Sequence, residues 1–189
     1  MAKFTKKAIQ ASFLKLLMER PLSQITVKDI VADCGVNRNT FYYYFADIPK
    51  LIESMVEEGA ETIIRTYPTI ENFEDFFEAI IDTIQAKKRA VLHIYHATGR
   101  DIYELYLWKV CDHVIEAYTA AVLQGRKIAE SDLRILKQYL SSLAFGIFSN
   151  WLRNDMTDDI HAIFARLSEL KKGMLKEMID RCEGADQQP

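Results

Sequence analysis

The stretch that decides the fold is Val36-Asn37-Arg38-Asn39-Thr40-Phe41-Tyr42-Tyr43-Tyr44-Phe45. It predicts a short helix that begins at Arg38, after the cap residue Asn37. At about 100° per residue, Phe41 and Phe45 lie about 40° apart on one side, and the hydrogen-bonding side chains lie on the others. A buried aromatic cluster would explain the two phenylalanines, but three adjacent tyrosines cannot all be buried. We therefore expect the phenylalanines to pack inward and the polar side chains to be exposed.

A second helix is predicted just before this one. Thr26 occupies an N-cap position with Asp29 three residues later, which is the spacing of a capping box. The helix stops at Gly35, which can adopt the left-handed backbone conformation of a tight turn. A further amphipathic helix is predicted from about Thr5 to Glu19. The result is a helix-turn-helix pattern supported by a first helix.

An exposed helix of this composition suits readout of the DNA major groove. Arginine and asparagine side chains pair bidentately with base edges, and threonine or tyrosine hydroxyls donate to phosphates. The charge distribution agrees with this interpretation, because residues 1–50 carry eight Lys and Arg against four Asp and Glu, which is a net charge of +4. The rest of the chain therefore carries −7 of the total of −3. A basic segment on an acidic body directs attraction for a polyanion to one end.

The remainder of the chain also has helical periodicity. A fourth helix is predicted from Asp47, with five more at about residues 72–87, 89–97, 100–123, 131–153 and 159–181. About nine helices and no strand define an all-α fold class. The last seven residues, 183–189, are predicted to be disordered.

The apolar residues of the two final predicted helices indicate a subunit interface. Each carries a long apolar stripe and further apolar residues beside it, so more than one face needs cover. A second subunit is the expected cover, and the alternative is that these faces complete a monomeric core. The predicted interface residues are Leu140, Ala144, Ile147, Trp151, Ile163, Leu167, Leu170 and Met174.

Residues of about 5–64 resemble the DNA-binding domain of the TetR/AcrR family of transcriptional regulators. The matching residues are Ile25-Thr26-Val27, Ile30, Ala32, Gly35-Val36, Thr40-Phe41-Tyr42, Phe45 and Leu51. The resemblance implies a three-helix helix-turn-helix domain over residues 1–47 and a linking helix over residues 48–67. It further implies an all-helical domain over residues 68–182 that binds an effector and forms a homodimer.

The same resemblance implies which residues contact a double-stranded DNA operator. It gives phosphate contacts to Thr26, Thr40, Tyr42 and Tyr44 and base contacts to Arg38, Asn39 and Tyr43. One position departs from the family, because Ile48 stands where many members have lysine. That phosphate contact is either missing or made by Lys50 or by backbone amides at the helix N-terminus.

An effector pocket is harder to place, because the aromatic residues of the C-terminal half suit an apolar pocket and a helical core equally well. The predicted pocket residues are His93, Tyr95, His96, Tyr103, Trp108, Tyr118, Phe145 and Phe148. A metal site can be drawn from His93 and His96 on one helix with Asp112 and His113 on the next, but nothing in the sequence brings the two pairs together. We therefore expect no metal, no cofactor and no enzyme activity, and no nucleotide-binding or catalytic motif is found.

The expected function is that of a dimeric transcriptional regulator, a repressor, which responds to a small apolar or aromatic effector. The alternative is a DNA-bound regulator whose C-terminal domain binds a protein partner, since the aromatic-rich segment 40–45 is similar to that of regulators of dihydroxyacetone kinase operons. No apolar run approaches the roughly 20 residues that span a bilayer, and the first residues lack the apolar region of a signal peptide. We therefore expect a cytoplasmic protein.

Overall fold

The computed structural model describes residues 2–69, 72–97 and 100–185. Over these ranges the chain forms ten α-helices, one short 3₁₀ helix and no strand, which confirms the all-α fold class. Every helix in the described ranges is too short or too polar to cross a membrane. The elements are α1 (Ala2–Glu19), the 3₁₀ helix (Leu22–Gln24), α2 (Val27–Cys34), α3 (Arg38–Tyr44), α4 (Ile48–Thr66), α5 (Phe73–Gln85), α6 (Lys88–Ala97), α7 (Arg100–Val122), α8 (Glu130–Arg153), α9 (Ile160–Leu170) and α10 (Met174–Ala185).

The helix-turn-helix is formed by α2 and α3, and local side-chain caps fix its ends. Thr26 Oγ1 accepts a hydrogen bond from the N–H of Asp29, and Asp29 Oδ2 accepts one from the N–H of Thr26, as the capping box predicts. The helix ends at Gly35, whose φ of 71° lies in the left-handed region that favours glycine. Asn37 then caps α3. The predicted helix, turn and helix are confirmed.

The chain forms two compact units, and the first comprises Met1–Gly59 and Ile84–Tyr103. In this unit α6 packs against α1 and against the 3₁₀ helix, and α1 packs against α2. The buried hydroxyl of Ser12 on α1 donates to the carbonyl oxygen of Ile30 on α2 at 3.0 Å. The apolar core of this unit includes Ile9, Phe13, Leu16, Leu17, Ile25, Ile30, Phe41, Phe45, Leu51, Ile52 and Ala90.

The second unit comprises Ala60–Thr83 and Glu104–Pro189. Its core is rich in aromatic rings that pack at centroid distances of 4.3 to 6.4 Å. Aromatic pairs at these distances contribute about 0.5–1.5 kcal/mol each beyond the burial of their area. The members of this aromatic cluster are Phe73, Phe76, Phe77, Tyr118, Phe148, Trp151 and Phe164.

The final helix differs from the sequence prediction. A single helix over residues 159–181 was predicted, but the chain turns at residues 171–173 and forms α9 and α10 instead. Gly173 has a φ of 79° and ends the turn, so the predicted continuous helix is wrong at this glycine. The apolar spacing continues from α9 into α10 and so hides the break. The α10 helix extends to Ala185, and residues 186–189 lie outside the described residues.

Candidate nucleic-acid interface

The exposed helix α3 is fixed in place at its two ends and by two buried phenylalanines. Asn37 Oδ1 accepts a hydrogen bond from the N–H of Thr40 at 2.8 Å, which caps the first turn. At the other end the chain leaves the helix at Phe45 in an extended conformation. Phe41 and Phe45 are 0% and 3% exposed, and their ring centroids lie 5.7 Å apart. Burial of two such rings, at about 1.5–3 kcal/mol each, fixes the helix against the core of its unit.

The outer face of α3 carries the side chains that the sequence predicts for base contact. Arg38 and Asn39 are exposed, and Tyr42 and Tyr43 are 54% and 79% exposed. Tyr43 packs edge-on against Tyr44 with the centroids 4.9 Å apart, so its ring has a rigid neighbour although it faces solvent. Within the described part of the chain, Arg38 forms no ion pair and remains available to a base or phosphate. This face combines a free guanidinium with an amide and two phenol groups.

The two threonines predicted to contact phosphates use their hydroxyl hydrogens inside the protein. Thr26 Oγ1 donates to Asp29 Oδ2 at 2.6 Å, and Thr40 Oγ1 donates to Asn37 Oδ1 at 3.0 Å. The hydrogen bond from Thr26 lowers the pKa of Asp29, so this carboxyl group is a pure acceptor near neutral pH. A phosphate oxygen can also only accept. Either hydroxyl must therefore leave its partner before it can donate to DNA.

Lys50 forms an ion pair with Glu53 within the protein. Its Nζ lies 2.5 Å from Oε2 of Glu53, and its backbone N–H donates to Oδ1 of Asp47. The hydrogen bond with Glu53 raises the pKa of Lys50, which stays charged. The neighbouring Ile48 is half-buried. Because of its ion pair with Glu53, Lys50 is partly neutralised in the free protein. This weakens its case as a substitute for the lysine that many family members have at the position of Ile48.

Lys28 is not among the residues that the sequence predicts to contact DNA, although it belongs to the basic N-terminal segment. This residue lies in the first turn of α2 and is exposed. It has no ion pair among the described residues. Lys28 lies two residues after Thr26 at the same end of α2. Because Thr26 is predicted to contact a phosphate, this spacing was the signal that could have added Lys28 to the predicted DNA-contact residues. Lys28 and Arg38 are exposed cations of the helix-turn-helix that no carboxylate neutralises in the described ranges.

Ion pairs join α1 to α2 of the helix-turn-helix and to α4. Lys15 Nζ lies 2.6 Å from Asp33 Oδ1, and the hydrogen bond from Lys15 lowers the pKa of Asp33. Lys6 Nζ lies 2.6 Å from Glu58 Oε1 and 5.7 Å from the ring centroid of Phe45. These contacts use basic residues of the N-terminal segment for structure, so its net charge of +4 overstates what is free to bind DNA.

The predicted effector residues are divided between the two units. In the first unit, Nδ1 of His93 lies 2.7 Å from the carbonyl oxygen of Leu17, and the rings of Tyr95 and His96 lie 5.1 Å apart. The side chain of Tyr103 lies outside the described residues. The structure therefore gives His93 a protein partner.

The other four predicted effector residues lie in the second unit. Tyr118 stacks on Phe76 at 4.3 Å and donates its hydroxyl hydrogen to the carbonyl oxygen of Thr69. Phe148 belongs to the same aromatic cluster, whereas Trp108 and Phe145 are half-buried and pack edge-on, with centroids 5.6 Å apart. Two of the four residues are thus core residues and two border the surface.

The described part of the second unit contains a groove and a narrow cavity. A groove of about 350 Å³ lies between α8 and α9, and its lining includes Gly146, Ile147 and Ile163. A narrow cavity of about 20 Å³ is lined by Phe73, Lys171 and neighbouring residues, which is room for about one water molecule. In the described ranges, no group of three or more His, Cys, Asp or Glu side chains is placed to hold a metal ion.

The predicted interface residues fall into a buried group and a group at or near the surface. Leu140, Ala144 and Trp151 are 3% exposed or less, so their side chains pack inside the chain. The remaining five lie at or near the surface: Ile147 and Leu167 are half-buried, and Ile163, Leu170 and Met174 are 49%, 67% and 38% exposed.

Two exposed residues of α8 were absent from the predicted interface set. Ile135 and Tyr139 are 61% and 37% exposed. Their position beside the main stripe of α8 was the signal that could have identified them.

Two family descriptions match the chain. Residues 12–55 match the bacterial regulatory proteins of the tetR family, and residues 71–173 match a transcriptional regulator C-terminal region.

Curated relatives agree with these matches. The chain is 28% identical over 131 residues to the HTH-type transcriptional regulator EthR of Mycobacterium tuberculosis, which covers 64% of this chain and 60% of EthR. The alignment thus spans less than two thirds of that relative. The chain is also 33% identical over 61 residues to the uncharacterized HTH-type transcriptional regulator YxbF of Bacillus subtilis. This second alignment covers 32% of the chain and 16% of YxbF.

Two solved structures share the fold. The dihydroxyacetone kinase operon activator DhaS aligns with a TM-score of 0.64 and 16% identity, over 91% of this chain and 96% of DhaS. NalD, the secondary repressor of the MexAB-OprM multidrug efflux pump in Pseudomonas aeruginosa, aligns with a TM-score of 0.51 and 17% identity, over 89% of this chain and 95% of NalD. The matched families and relatives are transcriptional regulators and not enzymes, as the sequence predicts.

Proposed function

Since the chain belongs to the tetR family of bacterial regulatory proteins, we propose that it is a homodimeric repressor that leaves its operator when a small effector binds. DNA binding and transcriptional regulation follow from membership of the family; repression, the dimer and the effector are the proposal. We assign DNA binding to residues 1–47, linkage to residues 48–67 and the effector and dimer functions to residues 68–182. The protein is also proposed to be cytoplasmic.

The observation that carries this proposal is the outer face of α3. Arg38 and Asn39 are exposed on a helix that buried phenylalanines hold rigidly. A guanidinium matches the O6 and N7 acceptors of guanine, and a carboxamide matches N6 and N7 of adenine. Tyr42 and Tyr43 add exposed phenol groups beside them. Such a face supports sequence-specific reading of the major groove.

Repression is the simplest outcome of such binding. A dimer whose two recognition helices occupy successive major grooves covers a promoter without any contact to polymerase. An effector that binds better to a conformation with mis-spaced recognition helices lowers the occupancy of DNA, by no more than its differential affinity allows. A dimer with two conformations, one that binds the operator and one that does not, is therefore sufficient for both repression and release.

Selection of bound duplexes from a random library tests the DNA half of the proposal. The full chain is expected to enrich a two-fold symmetric site with half-sites about one helical turn, roughly 34–36 Å, apart. The double variant Arg38→Ala, Asn39→Ala serves as the matched control and is expected to enrich no common sequence. An enriched site without symmetry would overturn the dimer, and no enrichment by the wild type would overturn specific binding.

The proposed dimer face is the exposed apolar surface of α8, α9 and α10. It comprises Ile163 and Leu170 on α9, Ile135 and Tyr139 on α8 and Met174 on α10, all at least 37% exposed in the single chain. Interfaces of homodimers have apolar centres, which such residues would supply. Gly146 lies in the groove between α8 and α9, and apart from its chain neighbours and the backbone of α8, no described atom lies within 4 Å of the position its missing Cβ would take. A helix of a second copy can therefore approach α8 closely at this glycine.

Sedimentation equilibrium tests this face directly. Wild type is expected to sediment as a dimer, and Ile163→Glu with Leu170→Glu is expected to sediment as a folded monomer, because two carboxylates would be buried without partners. Leu105→Glu is the control, since Leu105 is 59% exposed but lies on α7. A wild-type monomer, or a dimer that survives both charges, would refute the proposed face.

The effector is proposed to be a small apolar or aromatic molecule bound near Trp108 and Phe145, the half-buried aromatic pair. A second candidate is a protein partner, which would bind the C-terminal region in place of a small molecule. The packing of Tyr118 and Phe148 into the aromatic core favours it, because these rings are then unavailable to a ligand. Both candidates leave the DNA-binding half unchanged.

A panel of small aromatic compounds distinguishes the two candidates. If the effector is small, one compound is expected to raise the melting temperature of wild type but not of Trp108→Ala, and to release the selected duplex. If the partner is a protein, no compound acts, and Leu105→Glu is expected to change regulation in cells without changing DNA affinity or melting temperature.

A further inference from the structure

One carbonyl oxygen at the end of α1 has no partner within its own helix. In an α-helix the carbonyl oxygen of residue i accepts from the N–H of residue i+4, and for Leu17 that residue is Pro21, which has no N–H. The last helical hydrogen bond before it runs from the N–H of Arg20 to the carbonyl oxygen of Leu16. Leu17 is 2% exposed, so a partner for its backbone oxygen must come mainly from the protein.

His93 on α6 supplies that partner from 76 residues away. Its Nδ1 lies 2.7 Å from the carbonyl oxygen of Leu17. A carbonyl oxygen only accepts, so Nδ1 must carry the hydrogen and donate it. The contact therefore fixes the tautomer of a neutral His93 and replaces the hydrogen bond that Pro21 cannot make.

We propose that His93 is a positioning residue for DNA binding, which holds the end of α1 so that the start of α2 is correctly placed. Just past Leu17, the guanidinium of Arg20 lies 3.5 Å from Oδ1 of Asp29. The other oxygen of Asp29 accepts from the backbone N–H and the hydroxyl of Thr26, at 2.9 and 2.6 Å. The end of α1 is thus joined through one carboxylate to the capped start of the helix-turn-helix.

The position of α6 in the fold supports this role. The helix lies within residues 71–173, which match the C-terminal region of regulators, but it packs against α1 and the 3₁₀ helix and belongs to the first compact unit. The matched C-terminal region thus contributes a half-buried hydrogen-bond donor to the unit that contains the helix-turn-helix. An effector contact of His93 would have to use Nε2, because Nδ1 donates to the carbonyl oxygen of Leu17.

Variants at both ends of the contact test the proposal by rescue. His93→Leu is expected to weaken binding of the selected duplex and of a random-sequence duplex alike, by about threefold to tenfold, because the carbonyl oxygen of Leu17 is left buried without a donor. His93→Asn keeps an N–H near the position of Nδ1 and is expected to bind nearly as wild type. Pro21→Ala restores the backbone donor, so Pro21→Ala, His93→Leu is expected to bind as tightly as Pro21→Ala alone.

Two further measurements separate positioning from general destabilisation. Phe76→Leu removes packing from the core of the second unit, lowers the melting temperature, and is expected to leave DNA affinity unchanged. Ring nitrogen chemical shifts of His93 in the full wild-type chain are expected to show hydrogen on Nδ1, whether or not His93→Leu folds. Hydrogen on Nε2 alone, or a His93→Leu defect that Pro21→Ala does not reduce, would overturn the proposal.

Discussion

Nδ1 of His161 on α9 lies 2.8 Å from Oε2 of Glu78 on α5, and the two side chains tie these helices together within the second unit. The other ring nitrogen lies 3.6 Å from Oδ1 of Asp82, one turn further along α5. The hydrogen bond with Glu78 raises the pKa of His161, and the charges of Asp82 and Asp159 act in the same direction. A single imidazolium therefore faces three carboxylates.

We predict that the contribution of His161 to the stability of the folded chain falls as the pH rises. Because the pKa of His161 is higher in the folded than in the unfolded chain, its stabilisation is complete below pH of about 6.5 and is lost as the pH rises through the folded pKa. The ring is 40% exposed, so after solvent screening the effect is expected to stay below about 1 kcal/mol. Melting temperatures between pH 5.5 and 8.5 measure it, and His161→Gln should remove this dependence. Identical pH profiles for wild type and variant would contradict the prediction.

Arg38 and Tyr42 are expected to contribute differently to DNA binding. Arg38→Ala should relax the preference for one base pair by about 1–3 kcal/mol, because a guanidinium reads a base edge bidentately. Tyr42→Phe should weaken binding to all duplexes alike, since its hydroxyl is assigned to a phosphate. Competition between the selected duplex and single-base variants of it measures both effects. Unchanged binding of every duplex in both variants would show that α3 is not the recognition helix.

Thr26 is expected to act as a cap more than as a phosphate ligand. Thr26→Ala should lower the free energy of unfolding by about 1 kcal/mol, because α2 loses its N-cap. Thr26→Ser keeps the cap and should leave the free energy of unfolding near that of wild type. Urea unfolding gives these values, and titration with the selected duplex gives affinities. A large affinity loss for Thr26→Ala without a loss of stability would instead assign the hydroxyl to DNA.

Glu53 is expected to limit DNA affinity by holding Lys50. Glu53→Gln frees the ammonium of Lys50, so affinity should rise and the slope of log affinity against log salt should steepen by about one. Lys50→Gln alone should change affinity little, because its charge is already partly neutralised. The double variant should behave like Lys50→Gln. A gain in Glu53→Gln that persists without Lys50 would show that Glu53 acts by general repulsion of DNA.

The local part of this structure could be predicted from the sequence because short-range chemistry determines it. Thr26, Gly35 and Asn37 are cap or turn residues whose partners lie within a few positions, so their roles were visible in the sequence. The contact of His93 with Leu17 could not be foreseen, because it spans 76 residues and depends on a donor that Pro21 lacks. The burial of Trp151 likewise depends on helices that periodicity alone does not arrange.

Gly173 carries the last prediction, since its φ of 79° is what separates α9 from α10. Gly173→Ala places a Cβ in a left-handed conformation and should lower the free energy of unfolding by about 1–2 kcal/mol. A steric clash is not the cause, because beyond its two chain neighbours no described residue has an atom within 4 Å of the position the new Cβ would take. Gly59, inside α4, has the same open surroundings and is the matched control. There Gly59→Ala should raise the free energy of unfolding by about 0.5–1 kcal/mol, because alanine favours a helix interior. Urea unfolding of both variants measures the difference, and changes of equal sign would show that the left-handed turn at Gly173 does not separate the two helices.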